Sequence, residues 1–108
     1  MITEAENDPS LLVNPRDMSW LYVRKSSILC FLKKYNDAKY CAETSVSLHP
    51  SAGSYYRLGV ACYLLSEFEQ SSEAFLAAKQ YDNASARIVN AIHVVSLRCR
   101  SRKDRLMY

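Results

Sequence analysis

Glycine and proline are scarce: the 108 residues contain two of the first and three of the second. Turns that need positive φ or a rigid corner are therefore few, and most of the chain must lie in regular structure. β-Branched residues are too sparse and scattered to make strands, which leaves helix. No apolar run is long enough to span a membrane. The opening "MITEAENDPS" is acidic, which argues against a signal or transit peptide. No two of the four cysteines stand in CxxC spacing, and all four fall within apolar helical stripes. That pattern predicts reduced core thiols of a cytoplasmic protein, without disulfides or metal.

Catalytic signatures are also missing. There is no glycine-rich phosphate loop and no strand-turn-helix serine elbow. His49 precedes a proline and reads as a turn residue, while His93 has no cysteine or carboxylate at ligand spacing. The chain is expected to be neither an enzyme nor a cofactor carrier.

What is present is charge asymmetry and helical punctuation. Glu4, Glu6, Asp8 and Asp17 against Arg16 leave the first 17 residues acidic, whereas residues 98–108 carry five cations against Asp104. A basic helical end of this kind predicts a solvated face rather than a nucleic-acid or calmodulin site. "NPRD" offers Asn14 as N-cap and Pro15 at the first helical position, so a helix should run from there to Lys33 or Lys34. A second is predicted from about Asn36 to Leu48, with Leu48 on its buried face, and is ended by Pro50. Further helices are predicted from about Ala52 to Leu65, from Glu67 to Tyr81 and from Asn83 into the basic tail. These divide the chain into an acidic arm (1–13), a helical domain (14–98) and a basic end (99–108).

The helices repeat. Tyr22 and Tyr55, Tyr35 and Phe68, Ala38 and Ser71, and Ser45 and Ala78 each lie 33 residues apart. The unit is helix, tight turn, helix, present twice and followed by a lone helix. Gly59 stands in the first helix of the second unit, where glycine costs about 1 kcal/mol relative to alanine. A close neighbour is the predicted reason.

With Tyr55, Leu58-Gly59, Cys62, Ser71, Phe75 and Asn83 the second unit resembles the tetratricopeptide repeat. The first copy, Tyr22, Lys25-Ser26, Leu29, Ala38, Ala42 and Pro50, keeps the small-residue and proline positions and loses the Leu-Gly. The resemblance implies that the neighbour of Gly59 is the small residue Ser71 across the hairpin, and that Phe75 anchors the next repeat. The fold this implies is all-α: two repeat hairpins and a C-terminal capping helix. From Asp17 onward the chain is most similar to the last two repeats of co-chaperones, such as immunophilins with a C-terminal repeat domain and adaptors of the heat-shock chaperones. That likeness implies a protein-interaction adaptor whose inner helices form a groove for a peptide, in the subfamily the acidic C-terminal tail of a chaperone.

The resemblance places Arg57 on the subfamily's last-repeat arginine. Gly53 stands where a lysine is expected and Arg24 where an asparagine is expected. The repeat that would supply the remaining donors is not recognisable, so a complete carboxylate clamp is not implied. Groove-facing positions are predicted at Trp20, Val23, Arg24, Ser27 and Phe31 in the first unit and at Tyr56, Arg57, Val60 and Tyr63 in the second. Arginines among aromatic rings suit a peptide-binding surface. Two alternatives compete: a structural unit whose groove is filled by another copy or a neighbouring helix pair, and RNA binding through the basic tail with Arg24 and Arg57.

Overall fold

The computed structural model describes residues 14–107, with side chains to Ser101. Five helices follow one another: α1 (Pro15–Phe31), α2 (Tyr35–Leu48), α3 (Ala52–Leu64), α4 (Phe68–Tyr81) and α5 (Ala86–Met107). No strand occurs among the described residues. The acidic arm lies outside them, as do the side chains of the tail beyond Ser101.

Each start has a local cause. The Asn14 side chain accepts from the Asp17 N–H at 2.9 Å ahead of Pro15. At α3, Ser51 and Ser54 bond reciprocally, a capping box with serine at both positions. The fifth helix begins three residues later than the sequence predicts. Asp82 accepts from the Ala84 N–H at 3.3 Å, which holds a turn, and the Ser85 hydroxyl then accepts from Ile88.

Both hairpins turn through the same device. Lys33 and Ser66, again 33 residues apart, adopt φ of 62° and 63°. The following N–H groups, Lys34 and Glu67, donate back to Leu29 O and Cys62 O at 2.8 and 2.9 Å. These are Schellman closures with a non-glycine residue in the left-handed position. They end α1 at Phe31, earlier than the predicted Lys33 or Lys34.

Helices pack as α1 on α2, α2 on α3, α3 on α4 and α4 on α5, with α1 also beside α3. The core consists mostly of small residues: Ala38, Cys41, Ala42, Ala61, Cys62, Ala74 and Ala78 are buried, with Phe75, Ile88 and Val95 as the larger members. Leu48, expected to be buried, is exposed at the end of α2.

Serine hydroxyls satisfy the closest approaches. Ser19 and Ser45, both buried, each donate to the other's main-chain carbonyl at 2.8 Å. Ser26 donates to Ala38 O at 2.8 Å, and Ser71 to Gly59 O at 2.7 Å. Ser26 and Gly59 are equivalent positions, as are Ala38 and Ser71. The same bond is therefore made in both hairpins with its donor on opposite helices. The prediction for Gly59 holds with one refinement. A Cβ there would stand 2.5 Å from the Phe75 ring, so the phenyl group is its tightest neighbour.

Candidate functional site

The first helices of successive hairpins lie side by side, and their exposed faces line one side of the array. Equivalent residues on α1 and α3 are Val23 and Tyr56, Arg24 and Arg57, Ser27 and Val60. A shift of 34 continues the series onto α5, which acts as the first helix of a third unit. Gly53 then matches Arg87, Arg57 matches Ala91, Val60 matches Val94 and Leu64 matches Arg98.

Tyr56, Val60 and Tyr63, three of the positions expected to face a groove, line a cleft of about 170 Å³ between α3 and α5. Its floor is the buried Phe75, and Leu64, Ala91 and Val94 complete it. The rings are mutually locked: Tyr56 lies 5.6 Å from Phe75, and Tyr63 meets Phe68 edge-on at 5.4 Å. Trp20 and Val23 line a different opening of about 420 Å³, with Arg16, His49 and Gly53. Ser27 and Phe31 line neither cleft; both are exposed on α1, Phe31 at 86%.

The arginines are held over aromatic faces. Arg24 lies 4.8 Å from the Trp20 ring centroid, and Arg57 lies 5.1 Å from that of Tyr56. Such contacts contribute about 0.5–1 kcal/mol at exposed sites. A second guanidinium, Arg87, lies 5.7 Å from the same Tyr56 ring, and Arg98 Nε donates to Tyr63 Oη at 3.1 Å. The Lys39–Glu67 ion pair involves none of these four arginines. Arg57 also approaches Cys30, whose thiol is pushed up by burial and partly drawn back by that cation.

The opposite side differs. Lys39 Nζ bridges from α2 to Glu67 Oε1 at 2.8 Å and to Gln70 Oε1 at 3.1 Å. The bond to Glu67 raises the lysine pKa above its usual value. Glu43 stands on this side, lining a groove of about 410 Å³ with Lys39, Tyr55 and Cys62. It is therefore no partner for Arg57. Burial pushes the Cys62 thiol up to about 11, and all four cysteines are free.

Sequence reading missed Arg87, Ala91, Val94 and Arg98 as members of the lined face. The signal was available in the repeat, but the offset changes from 33 to 34 at the 82–85 turn, and the described residues hold no second helix after α5 to make the unit recognisable.

No family model matches the chain. It is similar to cilia- and flagella-associated protein 70 of Macaca fascicularis and of Homo sapiens, at 27% identity over 93 residues in each case. The match covers 86% of this chain and 9% and 8% of those proteins, so the chain spans less than a tenth of the length of the curated relatives it matches. Among the described residues no helix is long and apolar enough to cross a membrane.

Proposed function

We propose that this helical array is a protein-interaction module that binds a polypeptide along the face formed by α1, α3 and α5. One observation carries the reading: arginines on that face rest on aromatic rings and take no part in the Lys39–Glu67 ion pair, which lies on the other side. A guanidinium held over a ring keeps N–H donors free for a carboxylate. Arg57 is the anchor and Arg24 its equivalent one hairpin earlier.

The finer reading is a co-chaperone-like adaptor for the acidic C-terminal tail of a heat-shock chaperone. It rests on the repeat likeness and on Arg57, and Gly53 weakens it by removing one donor. Free cysteines support a cytoplasmic setting, and the similarity to cilia- and flagella-associated relatives supports a cilium- or flagellum-related one.

The test is titration with a peptide ending in acidic residues and a free carboxylate, at low and moderate salt, against the parent and Arg57→Ala. Binding should weaken with salt and fall at least tenfold in the variant, about 1.4 kcal/mol. Equal binding by both proteins, or by neither, removes the anchor role.

A structural role in a longer helical stack is the second reading, and α1 favours it. Leu21 and Ile28 on its outer side, continued by Leu32 just past its end, form a stripe and are 49%, 58% and 54% exposed. Their equivalents on α3, Ser54, Ala61 and Leu65, lie on the side covered by the preceding hairpin. A helix playing the part of α2 would cover the stripe on α1 in the same way.

A further inference from the structure

The cleft between α3 and α5 is apolar in its middle and cationic at its ends. Val60, Ala91 and Val94 supply aliphatic walls over the Phe75 floor, while Tyr56 and Tyr63 stand one at each end along α3. Arg87 faces the Tyr56 end and Arg98 the Tyr63 end. Its volume, about 170 Å³, is close to the roughly 150 Å³ cavity that accepts a benzene ring, so it holds one large apolar side chain and not two.

We propose that this cleft is an anchor site for a single aliphatic or aromatic side chain of a bound peptide, with acidic residues on either side of it meeting Arg87 and Arg98. The inference rests on the reading that this face binds polypeptide, and it names a subsite separate from the Arg24 and Arg57 positions. Charge decides the occupant. Arg57 and Arg87 share one tyrosine ring, and the Lys39–Glu67 ion pair involves neither of these like charges. Asp82 lines the small opening next to Arg87, yet its side chain accepts from the Ala84 N–H and forms no ion pair there. An anion arriving at this end gains two cations at once.

Spacing decides the motif. Arg87 and Arg98 are 11 residues apart on one helix, about 16 Å along the axis. An extended chain advances about 3.3 Å per residue, so carboxylates about five positions apart reach both ends while a side chain midway enters the cleft. In a second copy of this chain an acidic pair near this spacing, Asp37 and Glu43 about Tyr40, lies on a helix that advances only about 1.5 Å per residue and does not reach both arginines.

The test uses an N-acetylated, C-amidated peptide with two glutamates about five positions apart and a leucine between them. Having no free C-terminal carboxylate, it does not report on the chaperone-tail reading. Binding is followed by methyl NMR of the full chain, with Val60 and Val94 as reporters. Their signals should shift on titration, and replacing the peptide leucine by serine should weaken binding at least tenfold. Arg87→Ala combined with Arg98→Ala should weaken it at least tenfold and steepen nothing in its salt dependence, which should flatten. Val94→Lys, at an exposed position where circular dichroism should show the fold unchanged, should abolish the shift at Val60. No shift at Val60 and Val94, equal binding of the serine peptide, or indifference to the paired arginine variant would overturn the proposal. If the free-carboxylate peptide still binds through Arg57 while this one does not, the subsite fails and the interaction role stands; if neither binds, both fall.

Discussion

Gly59 shows how a single missing Cβ shapes a helix pair. Alanine should gain about 1 kcal/mol in helix propensity, yet its methyl would enter the Phe75 ring at 2.5 Å. That ring is buried and touches Tyr56, so it can give way only toward the cleft and at the expense of that contact. Gly59→Ala is expected to destabilise by about 1–3 kcal/mol in urea unfolding, overpacking outweighing propensity. Adding Phe75→Leu should recover part of the loss relative to Phe75→Leu alone. A Gly59→Ala protein as stable as the parent would show that the ring yields, and that the interhelix contact is not what selects glycine.

At the level of elements, the hairpin turns carry stored strain. Lys33 and Ser66 occupy left-handed backbone conformations in which a Cβ costs roughly 1–2 kcal/mol. Their side chains make no contact that requires lysine or serine: Lys33 is exposed and so is Ser66. Lys33→Gly and Ser66→Gly are each expected to stabilise the protein by about 1 kcal/mol, partly offset by the greater freedom of glycine in the unfolded chain. Thermal unfolding of the two variants and of the double variant checks this. Additive gains would confirm that the two turns act independently, as their separation implies.

On the scale of the whole molecule, the array is asymmetric along its length. The preceding hairpin covers the stripe on α3, and α4 covers Ile88 and Val95 on α5, whereas α1 has nothing among the described helices against its outer face. Leu21→Gln and Ile28→Gln should therefore change stability by less than about 0.5 kcal/mol. Val95→Ala, at a fully buried site, should cost about 1–3 kcal/mol. Denaturant midpoints of the three variants give the comparison. A large loss in the α1 variants would mean that this stripe is covered in solution, by a second copy or by another part of the polypeptide.

The 33-residue period, the scarcity of glycine and proline, and the caps at Asn14 and Pro15 determined the number, type and order of the helices, because each is a local or periodic property. The same was true of Arg24 and Arg57, whose equivalence can be read from spacing alone, whereas the rings beside them, Trp20 and Tyr56, stand at non-equivalent positions. Turn closure was not legible: nothing in lysine or serine announces a left-handed φ, which long-range packing of the two helices imposes. Nor could spacing assign Gly59 its neighbour, since Ser71 and Phe75 are one helical turn apart on α4 and only the helix crossing decides which reaches the glycine. The cleft arose from tertiary structure in the strongest sense. Its two walls come from helices joined through α4, and it formed only when α5 packed on α4 at a slipped register, carrying Arg87 and Arg98 to the ends of a groove that α3 alone does not close.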